Sequence, residues 1–98
     1  MPKRSSKSQS KHDSKVKQVA KDLEKNGFDV KADIEGYKKP KTIGGYRPDV
    51  IGEKGKQKKI VEVETTDSLG SARDQKQEKA FRDEAKSSKN TTFTREVV

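Results

Sequence analysis

The sequence predicts a single small α/β domain in which two helices flank a mixed four-stranded sheet. Its 98 residues leave room for one domain. An amphipathic helical period near the N-terminus is followed by three segments with strand patterns, a second helix-forming segment and a last strand. Because a crossover helix joins the third and fourth strands, we expect these two strands to be parallel.

The first helix is predicted from four apolar residues spaced at i, i+3, i+4 and i+7, which are Val16, Val19, Ala20 and Leu23. Polar and charged residues fill the positions between them, so the helix is expected to bury a single stripe. Asp13 or Ser14 is expected to cap its first turn, and Asn26-Gly27 is expected to end it in a left-handed conformation.

The segment before this helix, residues 1–14, offers almost nothing for a core to bury. It holds four basic residues against one acid, which predicts a flexible basic arm. The single domain is then expected to span residues 15–98. Because His12 falls within the arm, we expect it to have no ligand or catalytic role.

Three strands are predicted after the first helix. Apolar residues alternate with charged ones over 28–34, an apolar pair follows Asp49, and the segment 59–65 is rich in β-branched residues. The segment 35–48 contains three glycines and two prolines and is expected to form turns. Residues 52–57 are expected to form a hairpin loop.

The second helix is predicted from Ser71 to about Lys86, with Ser71 as its N-cap and Asp74 three residues later. Its apolar residues are sparse, so we expect it to pack shallowly on the sheet. Residues 91–98 are predicted to form the closing strand.

The composition limits both the core and the chemistry of the protein. Only 17 of the 98 residues are Leu, Ile, Val or Phe, whereas 41% are charged, so any core must be thin. The absence of cysteine excludes disulfides, zinc–thiolate sites and thiol catalysis. No apolar run approaches the roughly 18 residues of a membrane span, so we expect no membrane partner and a cytoplasmic location.

The net charge of +8 favours a polyanionic partner, most simply nucleic acid bound through its phosphates. One alternative is that the lysines only keep a small domain soluble. Another is a largely disordered nucleic-acid chaperone that folds on binding.

The acidic residues Asp49, Glu62 and Glu64 are unusual because strands disfavour Asp and Glu. Side chains alternate along a strand, so Glu62 and Glu64 share one face. A hairpin centred between Lys54 and Gly55 would place Asp49 diagonally across from Glu62, with about 7–8 Å between their backbones.

Clustered carboxylates repel one another unless a hard cation neutralises them, and Mg²⁺ or Mn²⁺ suits such oxygen ligands. A bound ion of this kind can activate water and offset charge on a phosphodiester. The alternative is a solvated strand face on which Glu62 and Glu64 pair with Lys58 and Lys59.

Two segments carry a resemblance to a known family: Arg47-Pro48-Asp49-Val50-Ile51 and Ile60-Val61-Glu62-Val63-Glu64. Together they resemble the PD-(D/E)XK nuclease superfamily, whose minimal restriction endonuclease-like core has the element order αβββαβ. The resemblance implies a metal-dependent DNA endonuclease, including one that selects junctions or other structured DNA. It further implies that Asp49, Glu62 and the Val63 carbonyl hold the ion. A DNA-binding accessory protein with a degenerate site is the alternative.

Glu64 stands where the family usually has lysine, so the resemblance implies a role as base or as ligand of a second ion, or a loss of catalysis. Lys79 in the second helix is the candidate to replace the missing lysine. Gln77-x-x-x-Phe81 is similar to a Gln-x-x-x-Tyr pattern in some branches, although a solvated helix surface is the alternative.

Basic and amide side chains from the loop, the hairpin and the second helix are the candidates for contacts with DNA: Lys38, Lys39, Lys41, Arg47, Lys58, Lys59, Gln75 and Arg82. A homodimer is also expected, because association would bury more apolar surface and pair two sites for two strands.

Overall fold

The structure is a computed structural model that describes residues 6–66 and 70–98. Its elements are helix α1 (Ser6–Lys25), strands β1 (Asp29–Ala32), β2 (Val50–Lys54) and β3 (Gln57–Glu64), helix α2 (Ala72–Lys86) and strand β4 (Thr91–Val97). This is the predicted αβββαβ order, and the prediction of an α/β domain with two helices is confirmed.

The strands form one four-stranded sheet in the order β1-β2-β3-β4. The pairs β1–β2 and β2–β3 are antiparallel, whereas β3 and β4 are parallel. The sheet is therefore mixed, as predicted. The parallel pair follows from α2, which carries the chain back to the end of the sheet at which β3 begins.

The two helices cover opposite faces of the sheet. Val61 and Val63 belong to a buried cluster that includes Val16 and Ala20 of α1. Because side chains alternate along β3, Ile60, Glu62 and Glu64 lie on the other face, which is covered by α2. The core is thin, and acidic residues occupy part of the α2 side.

Helix α1 begins at Ser6, so the predicted start of the first helix at Asp13 or Ser14 is wrong, whereas the flexibility of the basic segment stays a prediction. Within this first part of the helix, the side chain of Gln9 donates a hydrogen bond of 2.8 Å to Asp13, four residues later. His12 is buried at 5% exposure and extends the Val16 stripe by one turn. A buried histidine therefore lies within a segment whose polar composition predicted an arm. Residues 1–5 lie outside the described part of the chain.

The hairpin turn between β2 and β3 is centred one residue later than predicted, so each residue of β2 pairs with a residue two positions further along β3. Lys54 pairs with Gln57, and Val50 pairs with Val61. Gly55 has a φ of 59° and takes the first central position of a two-residue turn, where a positive φ favours glycine. Extended by one residue, this register sets Asp49 directly opposite Glu62. Because the pairing differs from the predicted one by two residues, an even number, the Asp49 and Glu62 side chains remain on the same face of the sheet.

Other local predictions are confirmed. Gly27 ends α1 with a φ of 86°. The Ser71 hydroxyl caps α2 by accepting a hydrogen bond of 3.1 Å from the Asp74 N–H. Neither helix, over the part of the chain that the structure describes, is both long and apolar enough to cross a membrane.

Phe81→Ala is expected to lower the free energy of unfolding by about 3–5 kcal/mol, because it leaves a cavity under α2. Phe81 is fully buried and lies 5.8 Å from the Phe93 ring, measured between centroids. Urea unfolding followed by circular dichroism measures the change. Val97→Ala is the control, since Val97 is half exposed. A loss of less than about 1 kcal/mol for Phe81→Ala would show that α2 does not pack as described.

Candidate functional site

Asp49 and Glu62 form a crossed pair at the end of the β2–β3 ladder. The Asp49 backbone N–H donates a hydrogen bond of 2.9 Å to Glu62 Oε1. The Val63 backbone N–H donates one of 2.9 Å to Asp49 Oδ2. Each carboxylate is therefore held by the backbone of the opposite strand, and the predicted convergence of these two acids on one face is confirmed.

The site is buried, so its charges are poorly solvated. Glu62 and Glu64 are each 4% exposed, and the Asp49 side chain is 14% exposed. Lys58 instead pairs with Glu84 at 3.4 Å, and the Lys59 ammonium lies 5.3 Å from the centre of the Phe28 ring. The alternative of a solvated strand face that pairs with these lysines is wrong.

Burial raises the pKa of Glu62 from its usual 4.5 to about 9, and the negative charge of Asp49 acts in the same direction. The hydrogen bond from the Asp49 N–H opposes the shift because it favours the ionised carboxylate. The charge of Glu64 and a hydrogen bond with its side chain raise the pKa further. Glu62 thus holds a proton at neutral pH unless another cation replaces it.

Gln77 of α2 contacts the same carboxylate. Its Nε2 donates a hydrogen bond of 3.0 Å to Glu62 Oε2. Both oxygens of Glu62 therefore accept hydrogen bonds, one from the sheet and one from the helix. The sequence pointed to Gln77 only through a short pattern, and Gln75 of the same helix was predicted to contact DNA.

His12 is the residue of this site that sequence reasoning missed. Its Nε2 lies 3.2 Å from Asp49 Oδ1, and its Nδ1 lies 3.0 Å from Asp13 Oδ1. The expectation that His12 has no ligand or catalytic role was based on placing it before the start of the first helix, whereas α1 begins at Ser6. One signal was present in the sequence, because His12 lies four residues before Val16 on the buried stripe of α1.

The structure does not bring Lys79, Gln75 or Arg82 to the carboxylates. Lys79 is 81% exposed at its side chain and pairs with Asp83 at 3.8 Å. Gln75 donates to the Gly70 carbonyl, and Arg82 pairs with Glu78 at 2.6 Å. The role of Lys79 as a replacement for the missing lysine stays a prediction that these contacts do not favour.

The loop before β2 presents exposed basic side chains among the predicted DNA contacts. Lys38, Lys39 and Lys41 are exposed. Arg47 is tied back to the loop, because its guanidinium donates to the Pro40 carbonyl. These loop lysines therefore suit phosphate contacts better than Lys58 or Lys59, whose ammonium groups face Glu84 and Phe28.

The donor set at the site fits a hard divalent cation in its chemistry. The carboxylates of Asp49 and Glu62 lie beside the Val63 peptide. Each carboxylate can accept about four hydrogen bonds or metal bonds, so the hydrogen bonds described above leave some of this capacity unused. Within residues 6–66 and 70–98, no three His, Asp or Glu side chains gather into a metal-binding group. The resemblance implies only two such side chains, and Mg²⁺ commonly binds through one or two carboxylates with waters.

Comparisons of the chain with protein-family models, curated proteins and solved structures found no match. The resemblance to the nuclease superfamily therefore depends on the residues and geometry described above.

Glu62→Gln is expected to flatten the pH dependence of stability between about pH 5 and pH 9. Because the folded pKa of Glu62 exceeds the unfolded one, its contribution is fully present below pH 4.5 and is lost as the pH rises towards about 9. The wild-type free energy of unfolding should fall by up to about 1.4 kcal/mol per pH unit from this group.

Urea unfolding at several pH values, without divalent metal, measures this difference. Glu53→Gln is the matched control, because Glu53 is an exposed carboxylate on the same hairpin. If the free energy of unfolding changed with pH in the same way in the wild type and in Glu62→Gln, the raised pKa of Glu62 would be contradicted.

Proposed function

We propose that the chain is a Mg²⁺- or Mn²⁺-dependent DNA endonuclease with a restriction endonuclease-like fold. The observation that carries this proposal is the burial of Asp49 and Glu62 as a crossed pair on adjoining strands. Burying acids without a cation is costly, and strongly perturbed acids in such positions are typical of functional sites. The αβββαβ order and the mixed sheet agree with the proposed fold.

Asp49 and Glu62 would hold the ion together with the Val63 carbonyl. When bound, the ion supplies charge to activate water and to stabilise the phosphodiester transition state. Gln77 fixes the orientation of Glu62 through its hydrogen bond of 3.0 Å. Glu64, buried beside Glu62, would assist water activation or hold a second ion in place of the usual lysine.

DNA would be held by its phosphates, chiefly through the loop that carries Lys38, Lys39 and Lys41. These lysines are exposed, and the loop leads directly into Asp49. Phosphate contacts position a duplex without reading its sequence, so this arrangement suits selection by DNA shape. A homodimer would give one site per strand, and light scattering of the purified chain tests that expectation.

The alternative is a DNA-binding accessory protein of the same fold that has lost catalysis. One observation favours it: three of the four carboxylate oxygens of Asp49 and Glu62 accept hydrogen bonds from protein N–H groups, and the fourth, Asp49 Oδ1, lies 3.2 Å from His12 Nε2. In that case the site would bind no divalent ion. A disordered chaperone is not favoured, because the described chain forms two helices and a four-stranded sheet.

Asp49→Asn and Glu62→Gln are each expected to reduce metal-dependent DNA cleavage by at least about 100-fold, because each removes a charged ligand. Supercoiled plasmid and a four-way junction, with Mg²⁺ or Mn²⁺, are the substrates. Glu53→Gln is the control and should cleave at the wild-type rate. Undiminished cleavage by both site variants would remove these residues from the mechanism, and DNA binding without any wild-type cleavage would favour the accessory protein.

Replacing Lys38, Lys39 and Lys41 together with alanine should weaken DNA binding and reduce its salt dependence. Each lost phosphate contact lowers the slope of log K against log salt by about 0.9. Fluorescence anisotropy over a range of salt concentrations, without metal, measures the slope. The control is a triple variant on α1 that loses the same amount of charge, in which alanine replaces Lys17, Lys21 and Lys25. Equal slopes for the two triple variants would show that the loop is not the contact surface.

A further inference from the structure

A tight turn in the loop before β2 carries the aromatic side chain that is nearest to Asp49 in the sequence. The Ile43 N–H donates a hydrogen bond of 2.7 Å to the Tyr46 carbonyl, and the Tyr46 N–H donates one of 3.0 Å to the Ile43 carbonyl. Between them, Gly44 and Gly45 have φ angles of 60° and 85°, and this left-handed pair suits a two-residue hairpin turn. The backbone that carries the Tyr46 ring is therefore fixed by two hydrogen bonds.

This turn packs against α2 at two points. A Cβ added at Gly44 would lie 3.0 Å from the Ala80 Cβ, so the turn contacts the helix closely. Two turns earlier in the helix, the Arg73 Cζ lies 5.5 Å from the centre of the Tyr46 ring, which is within the distance of a cation–π contact. The Tyr46 ring and the Arg73 guanidinium thus form a pair that is held by the loop and by the helix together.

The Tyr46–Arg73 pair lies close to the carboxylates. Tyr46 precedes Asp49 by three residues. Arg73 lies one helical turn before Gln77, whose Nε2 donates the hydrogen bond of 3.0 Å to Glu62. Residues four apart on a helix have Cβ atoms about 5–6 Å apart, which is less than two of the steps of roughly 3.4 Å between successive nucleotides of one strand. A phosphate bound near Glu62 and a base at the pair can therefore belong to neighbouring nucleotides.

Tyr46 differs from Tyr37, the other tyrosine of the chain. Tyr37 has a structural role, because its ring packs against the hydrophobic core and its hydroxyl donates a hydrogen bond of 2.7 Å to Glu24. Among residues 6–66 and 70–98, the Tyr46 ring takes no part in that core packing, and its hydroxyl makes no hydrogen bond. Tyr46 is half-buried and Arg73 is exposed, so the pair presents aromatic and guanidinium surface to solvent.

A surface of this kind suits an unpaired base. Unpaired bases of nucleic acids stack on aromatic rings and on guanidinium planes. Bases inside a duplex are already stacked on one another, so the same surface discriminates unpaired nucleotides from paired ones. The positive charge of the guanidinium also attracts the phosphates on either side of the base.

We propose that Tyr46 and Arg73 form a stacking platform for an unpaired DNA base next to the phosphodiester bound at Asp49 and Glu62. The platform names the substrate class of the proposed nuclease, and it depends on the proposed function for the contact between DNA and these acids. The favoured substrate is a duplex with an unpaired nucleotide at its edge, such as a flap. The exposed lysines of the same loop hold phosphates of the paired part.

Fluorescence of 2-aminopurine, an adenine analogue whose emission falls when it stacks, tests the platform directly. The probe is placed at the first unpaired nucleotide of a flapped duplex and, for comparison, at a paired position of the fully paired duplex. Divalent metal is left out, so that the DNA is not cleaved. We expect emission from the unpaired position to fall when the wild type binds. The fall should be lost in Tyr46→Leu and restored in Tyr46→Phe, which keeps the ring.

Fluorescence anisotropy with the same two DNA molecules measures the energetic effect. Tyr46→Leu is expected to weaken binding of flapped DNA by about 5–100-fold and binding of the paired duplex by less than about 2-fold. Arg73→Gln should lower the preference for flapped over paired DNA. Lys76→Gln is the matched control, because it removes the same charge from an exposed position of α2, and it should leave the preference unchanged. Circular dichroism confirms that each variant folds.

The outcomes separate this inference from the proposed function. The platform is overturned if wild type binds flapped DNA without a fall in emission and Tyr46→Leu loses equal affinity for both DNA molecules. Tyr46 then only ties the loop to α2, and the endonuclease proposal is decided by its own cleavage assays. Stacking by a wild type that cleaves neither DNA supports the platform and favours the accessory protein. Absence of DNA binding by the wild type overturns the inference.

Discussion

The close burial of the Asp49 and Glu62 carboxylates is the constraint on which the rest of the structure depends. Their positions are set by backbone geometry, because each acid accepts a hydrogen bond from the opposite strand. The register that permits this exchange is fixed by the two-residue turn at Gly55. A register shifted by one residue would separate the two acids onto different faces of the sheet.

The arginine that pairs with Glu62 across the sheet is engaged by other acids. Arg95 of β4 lies opposite Glu62 in the parallel register. Its guanidinium is already engaged by Asp74 and Glu78, at 2.8 and 2.9 Å. Glu62 instead receives hydrogen bonds from neutral amides, and burial then raises its pKa. Even so thin a core retains Glu62 and Glu64 at 4% exposure, and such departures from the usual rules of folding are expected at functional sites.

The sequence was sufficient to predict the order of elements, the parallel β3–β4 pair and the face shared by Glu62 and Asp49. These features follow from side-chain periodicity and from the connection through α2, which are local properties. The Ser71 cap and the Gly27 stop were predictable for the same reason. The predicted turn was centred one residue too early, which shifted the strand pairing by two, because the preference of Gly55 for the first turn position was not applied.

The contacts made by His12 and Gln77 were beyond the sequence because they join elements that are distant along the chain. His12 is surrounded by lysines and serines, so its spacing from Val16 was the single sequence signal of its burial, and that signal applies only because α1 begins at Ser6. Lys79 illustrates the opposite error. Its spacing placed it on the correct helix, but its side chain is exposed and pairs with Asp83.

The most direct test of the central claim is the titration of the Glu62 carboxyl group by carbon nuclear magnetic resonance, with and without saturating Mg²⁺. Without metal, the account predicts a midpoint near pH 9, matching the raised pKa of Glu62. With Mg²⁺, Glu62 should be ionised throughout the neutral range. A midpoint near the usual 4.5 without metal, unchanged when Mg²⁺ is added, would contradict the account.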